Sequence, residues 1–252
     1  MLNLSKVSKV NKFSKLSDHP TENKIIVALD FENLDEAKKL VKQLDPNLCR
    51  LKVGKQMFTL FGPQWVRELV ELDFDVFLDL KFHDIPNTVA KACAAAAKLG
   101  VWMVNVHASG GGEMMQAAMN SVLSFGEKRP LLTAVTILTS MNSAEYANLG
   151  FTRNIDDQVL HLAAMAKQSG LDGVVCSAKE AKRLSSHLGE AFKLVTPGIR
   201  PPGSDKGDQS RIMTPKQAIQ EGASYLVIGR PITKAPDPLK VLCEISESLA
   251  FN

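Results

Sequence analysis

The stretch DVFLDLKFHDIPNT, residues 75–88, begins as a buried strand should and then breaks the rule for one. Val76, Phe77, Leu78, Leu80 and Phe82 form the nearly continuous apolar run of a parallel strand covered on both faces. Asp79, Lys81 and Asp84 crowd into its end. Burying an unpaired charge is expensive, so charges in such a place are paired or functional. Strand side chains alternate, which puts Asp79 and Lys81 on one face and Leu80 and Phe82 on the other. Asp84 follows the strand, where the chain bends before Pro86.

Working outward from this stretch, the same rhythm repeats from residue 24 onward. Strand-like runs occur at 24–31, 49–54, 75–82, 102–108, 130–138, 172–177, 192–199 and 225–232. Helical patterns lie between them, for example at 34–44, 88–100 and 156–170, and 238–249 reads as a closing helix. Eight strand–helix repeats predict a single-domain α/β fold, a (β/α)8 TIM barrel, over residues 24–252. An open doubly wound sheet is the structural competitor. It would place a glycine-rich turn after the first strand, and ALDFENLDEA (28–37) contains no glycine.

In a barrel, residues at the C-terminal ends of strands face the active site. Strand 1 ends in Asp30, strand 2 carries Lys52, and strand 3 carries Asp79 and Lys81 with Asp84 beyond them. Three Asp and two Lys at three consecutive strand ends make an alternating charge cluster, whereas a single Asp–Lys pair could be a structural salt bridge. Strand 4 ends in His107, strand 5 in Thr139 and Ser140, strand 7 in Gly198-Ile199-Arg200 and strand 8 in Gly229-Arg230. Gly229 lets backbone approach an anion and Arg230 can pair with it, the parts of a phosphate cradle. The long polar connection 200–215, which contains Gln209, reads as a lid over that cradle or as an ordinary surface loop. His83 and His107 have no convergent set of further ligands, so no metal is expected.

The formal net charge is +3, with four Lys against one Asp and one Glu in residues 1–23. The body is therefore close to neutral, which argues against nucleic acid and acidic membrane surfaces as partners. No apolar run reaches the ~18–20 residues of a membrane helix. Cys49, Cys93, Cys176 and Cys243 are widely spaced without a C-x-x-C pair, the usage of a reducing, cytoplasmic compartment. Residues 1–23 lack the apolar core of a secretory signal and are expected to be a disordered or extraneous tail.

DLKFHDIPNT, together with VALDF (27–31), LKVGKQMF (51–58), TILTSM (136–141), TPGIRPPGSDKGDQSR (196–211) and VIGRPIT (227–233), resembles the orotidine 5′-phosphate decarboxylase family over residues 24–249. The D-x-K-x-x-D pattern is shared with Mg²⁺-dependent sugar-phosphate relatives; the IPNT continuation and the Gln-bearing lid are not. The resemblance implies decarboxylation of orotidine 5′-monophosphate to UMP, without metal or organic cofactor, by a homodimer with shared active sites. It implies that Lys81 is the proton donor, that Asp79 stands beside the scissile carboxylate, that Lys52 bridges the carboxylates and the ribose, and that Asp30 binds ribose hydroxyls. Thr139 and Ser140 would contact the pyrimidine. Gln209, Arg230 and the Gly229 N–H would hold the phosphate, with Arg200 at the base of the lid. Asp84 and Thr88 would reach into the neighbouring subunit's site.

Overall fold

A computed structural model describes residues 23–202 and 213–250. Nearly all of the expected tail and the greater part of the expected lid, Gln209 included, lie outside the described residues. Eight strands alternate with helices in chain order: β1 (Ile25–Leu29), α1 (Leu34–Val41), β2 (Arg50–Gly54), α2 (Lys55–Glu71), β3 (Val76–Phe82), α3 (Pro86–Ala97), β4 (Met103–His107), α4 (Gly112–Leu123) and β5 (Leu131–Val135). Then follow α5 (Ser143–Asn148), α6 (Ile155–Gln168), β6 (Gly173–Val175), α7 (Ala178–Leu188), β7 (Lys193–Thr196), α8 (Pro215–Gln220), β8 (Tyr225–Ile228), α9 (Arg230–Thr233) and α10 (Pro238–Ala250). Every neighbouring pair of strands is parallel. β1 pairs with β8 through Ile25↔Leu226, Ile26↔Val227 and Val27↔Ile228, which closes the sheet into a barrel. The fold is the single-domain (β/α)8 barrel that the strand count predicts.

The strands are apolar on both faces because each face meets a different core. Ile26, Ala28, Phe77, Met103, Val195, Tyr225 and Val227 fill the interior. Val27, Leu29, Val53, Val76, Leu78 and Val104 point outward, onto the helical layer. The N-terminal foot of the barrel is stoppered by Arg50. Its guanidinium lies 4.2 Å from the Trp102 ring and 5.2 Å from the Tyr225 ring, and its Nε donates to Asp75 at 3.1 Å. Nearby, Arg129 grips Asp172 with two hydrogen bonds, and Asp172 also accepts from the Leu132 N–H, tying β5 to the start of β6. Gly173 fits there because an added Cβ would fall inside contact distance of the Lys193 carbonyl on β7.

Helix starts follow their sequence signals. Asn33 caps α1 by accepting from the Asp35 and Glu36 N–H groups. Ser177 and Glu180 form a capping box at α7, and Pro86 occupies the first turn of α3. No helix among the described residues is long and apolar enough to cross a membrane.

Three strand ends fall three or more residues short of expectation. β5 stops at Val135 although the apolar run continues to 138, because Ile137 folds onto the outer core as loop, outside the strand ladder. β7 stops at Thr196, and beyond it, among the described residues, only Ile199 bridges, to Met213. β8 stops at Ile228, and Arg230–Thr233 is helical. Pro231, without an N–H, cannot extend a ladder but suits a helix start.

Candidate active site

At the C-terminal mouth of the barrel lies a pocket of about 860 Å³. Its floor is Ala28, Phe77, Val175 and Val227, and its walls carry Asp30, Lys52, Asp79, Lys81, Thr139, Arg200, Gly229 and Arg230. With Gly198, nine of the strand-end positions singled out from sequence thus converge on one cavity. Phe31, Glu32, Thr233 and Lys234, which drew no notice in the sequence, complete the wall on the β1 and β8 side.

The charges alternate in a chain. Lys52 Nζ lies 3.8 Å from Asp30 Oδ1 and 3.3 Å from Asp79 Oδ2, and Lys81 Nζ lies 2.6 Å from Asp79 Oδ1. Asp30 is exposed at the rim, while Lys52 and Asp79 each keep only 12% of their side-chain surface. Burial alone would raise the pKa of the Asp79 carboxyl. The adjacent Lys52 and Lys81 ammonium groups and the hydrogen bonds from Lys81 and Asn105 outweigh it and hold the group below the usual carboxylate range. The cluster therefore presents an ionised aspartate between two ammonium groups. Gly54 leaves room for it: a Cβ there would come within 3.3 Å of Lys52 Nζ.

The end of β3 is not a regular strand. Leu78 pairs with Val104, and the next pairing is Phe82 with Val106, four steps along β3 against two along β4. Lys81 occupies the left-handed region at φ 55°, a conformation that costs a non-glycine residue about 1–2 kcal/mol. Leu80 and Phe82 nonetheless pack on the outer core, as alternation requires. Asn105, fully buried on β4, spans the irregularity. Its Oδ1 accepts from the Lys81 N–H and its Nδ2 donates to Asp79 Oδ1, both at 2.8 Å. The sequence did carry a signal for it, a lone amide in the apolar run MVNVH.

His107 stacks on His83 with ring centroids 5.5 Å apart and lies 2.6 Å from Ser109 Oγ through Nδ1. Burial, then His83 and the Lys55 and Lys81 charges, push its pKa below the ordinary histidine value. Among the described residues no group of three or more His, Cys, Asp or Glu side chains could hold a metal ion.

At the opposite side of the pocket the chemistry is basic. Arg200, 7% exposed, donates through Nη1 to the Ile199 carbonyl at 3.0 Å. Burial and the charge of Arg230 both lower its pKa, so the two guanidinium groups stand close enough to repel. The Arg200 N–H also donates to the Met213 carbonyl, which together with the Ile199↔Met213 bridge joins the two ends of the expected lid. A ligand suited to this pocket is one with an anionic group at the β7–β8 side and its reacting part over the charge chain at the β2–β3 side.

Three predicted site residues do not line the cavity. Ser140 is exposed one position beyond Thr139. Asp84, on the β3–α3 connection, and Thr88, in the first turn of α3, are exposed, with Asp84 Oδ1 accepting from its neighbour's N–H at Ile85. Between them Ile85 leaves 66% of its surface uncovered.

Comparison with known proteins gives a consistent result. The model of the family described as "Orotidine 5'-phosphate decarboxylase / HUMPS family" matches residues 23–245. Orotidine 5'-phosphate decarboxylase of Pseudoalteromonas translucida (strain TAC 125) is 63% identical over 226 residues, 90% of this chain and 97% of that protein. The enzyme of the same name from Escherichia coli O139:H28 is 60% identical over 229 residues, 91% of this chain and 94% of that one. Among solved structures, orotidine 5'-phosphate decarboxylase from Lactobacillus acidophilus superposes with a TM-score of 0.82 at 39% identity, covering 90% of this chain and 99% of that one.

Proposed function

Because the chain belongs to the orotidine 5′-phosphate decarboxylase / HUMPS family, we propose that its pocket converts orotidine 5′-monophosphate to UMP and CO2 in pyrimidine nucleotide synthesis, in the cytoplasm, with Lys81 as proton donor and without metal or organic cofactor. The observation that carries this reading is the chain Asp30–Lys52–Asp79–Lys81, with Lys81 Nζ held 2.6 Å from an ionised, buried aspartate.

The bond between C6 and the carboxylate breaks, CO2 leaves, and the electron pair stays on C6. No adjacent carbonyl can delocalise that pair, so a fixed cation must face it. The Lys81 ammonium supplies the charge and then the proton, forming the C6–H bond, and is reprotonated from solvent. Opposite unit charges about 4 Å apart attract by roughly 4 kcal/mol at an effective dielectric near 20. Enzymes lower barriers by ~8–23 kcal/mol, so the remainder comes from preorganisation and from binding energy gained far from C6. Gly229, Arg230 and Arg200 provide that remote grip by holding the phosphate, with Gln209 assigned to the same role. Asp30 and Lys52 hold the ribose hydroxyls and Thr139 faces the pyrimidine, with Ser140, outside the cavity wall, assigned to the same contact. Asp79 holds the Lys81 ammonium at 2.6 Å and stands beside the departing carboxylate.

Asp84 and Thr88 complete the site of a second subunit. Their exposure outside their own pocket, next to the uncovered Ile85, supports a dimer with shared sites. The deciding experiment measures UMP formation from orotidine 5′-monophosphate with and without EDTA. Turnover that survives EDTA is expected. No UMP would overturn the reading, and turnover abolished by EDTA and restored by Mg²⁺ would overturn its metal-free part.

A further inference from the structure

The mouth of the barrel contains a buried polar side chain, bonded to the charge chain, that the proposed reaction leaves without a task. Asn105 is fully buried on β4 and makes two side-chain hydrogen bonds, both to the reacting pair: Oδ1 to the Lys81 N–H and Nδ2 to Asp79 Oδ1, each 2.8 Å. It sits where the β3–β4 ladder is interrupted, between the pairs Leu78↔Val104 and Phe82↔Val106. It also faces the backbone of Lys81, whose φ of 55° an L-residue adopts only under constraint. We infer that Asn105 is a positioning residue, a clamp that fixes the Lys81 ammonium and the Asp79 carboxylate relative to each other by bonding to the backbone of one and the side chain of the other.

The physical case has two parts. A left-handed lysine relaxes toward an extended conformation unless its N–H has a partner in the strained position, and the amide oxygen is that partner. Relaxation would swing Nζ away from the C6 position. A carboxylate with two ammonium neighbours, meanwhile, can rotate between them. Nδ2 pins Oδ1 so that it faces Lys81 at 2.6 Å while Oδ2 faces Lys52 at 3.3 Å. The charged groups facing Asp79 are Lys52 on β2 and Lys81 on β3 itself. Asp30, after β1, reaches the cluster through Lys52, and β4 contributes only the neutral amide.

This assignment rests on the proposed decarboxylation for its kinetic consequences but not for its structural ones, and the tests separate the two. Asn105→Ala removes both bonds. Its kcat should fall at least about 30-fold, with KM for orotidine 5′-monophosphate changed less than about threefold, because the phosphate grip lies elsewhere. Asn105→Asp keeps the acceptor for the Lys81 N–H but sets a second carboxylate against Asp79. Two carboxylates in one site raise the pKa of one of them. Below that pKa the protonated Asp side chain at position 105 again donates to Asp79. The Asn105→Asp enzyme should therefore be impaired at pH 8 and recover at least about tenfold as pH falls toward 5, which mere loss of packing would not produce.

A folded Asn105→Ala enzyme with kcat within about twofold of the unaltered one would overturn the clamp. If that variant does not fold, a flat pH profile for Asn105→Asp overturns it instead. Titration of Asp79 by ¹³C-carboxyl NMR, with the signal assigned by its loss in Asp79→Asn, gives a readout independent of turnover. Its midpoint should rise in Asn105→Ala, and an unchanged midpoint counts against the clamp. Absence of UMP formation by the unaltered enzyme would strike the functional reading alone, and the Asp79 titration would still decide the role of Asn105.

Discussion

Lys81 reaches the pocket from a backbone held at φ 55°, so its side chain can be shortened without altering the backbone cost. Alanine has the same Cβ, and Lys52 still pairs with Asp79 at 3.3 Å. Lys81→Ala should therefore keep the native circular dichroism while turnover falls at least about a thousandfold. A folded variant within about tenfold of the original, a difference of ~1.4 kcal/mol, would remove Lys81 from its role. His107 offers a test by pH. Its folded pKa lies below the unfolded value of about 6.5, so as pH falls through that value the unfolded chain takes up the proton first. The stabilisation is present above about 6.5 and is lost as pH falls below it. His107→Gln should flatten the fall of melting temperature between pH 7 and 5, and an unchanged slope would refute the depressed pKa. At this scale the sequence was legible where chemistry sits at strand ends. Asp30, Lys52, Asp79 and Lys81 all stand where strand order and alternation place them. The strained φ was not, and of the Asn105 bridge only the lone amide in MVNVH showed, because a period-two pattern assumes a regular ladder, and β3 departs from one in the very residues that matter.

Among the elements, strand cores could be read from composition and strand ends could not. VALDF and DVFLDL are apolar throughout because interior and helical layer both cover them. The same apolarity continues through TIL after β5 and PI after β8, where Ile137 and Ile232 pack on the core as loop and short helix while Leu138 is exposed. Hydrophobicity reports burial, and a buried residue need not belong to the ladder. The β8–α9 junction is the element on which the phosphate assignment turns. Arg230→Ala removes a charge-assisted contact of ~1.5–3 kcal/mol, so kcat/KM for orotidine 5′-monophosphate should drop roughly ten- to hundredfold. For orotidine, which lacks the phosphate, the change should stay below about threefold. Equal losses on both substrates would place Arg230 outside the phosphate site.

The barrel closes on itself without a sheet edge, so strand addition is not open to a second copy, and the proposed shared-site dimer would have to join through side chains such as those beside Ile85. If Asp84 serves the partner, equal mixing of Lys81→Ala with Asp84→Ala should restore about a quarter of wild-type activity. Half of the exchanged dimers are then mixed, and each holds one site free of both defects. No recovery after confirmed subunit exchange would confine the site to one chain. The stoppered foot has its own consequence. Ala28, Phe77, Val175 and Val227 close the pocket from beneath, and Arg50 lies below them, so among the described residues the chamber is a cul-de-sac. Nucleotide and carbon dioxide must use the same door. While the nucleotide blocks it, the newborn gas molecule stays beside the carbanion that released it and can recombine. If Lys81 delivers the proton, that step and the escape of carbon dioxide both compete with return, and the moment of commitment is set by traffic through a single shared exit.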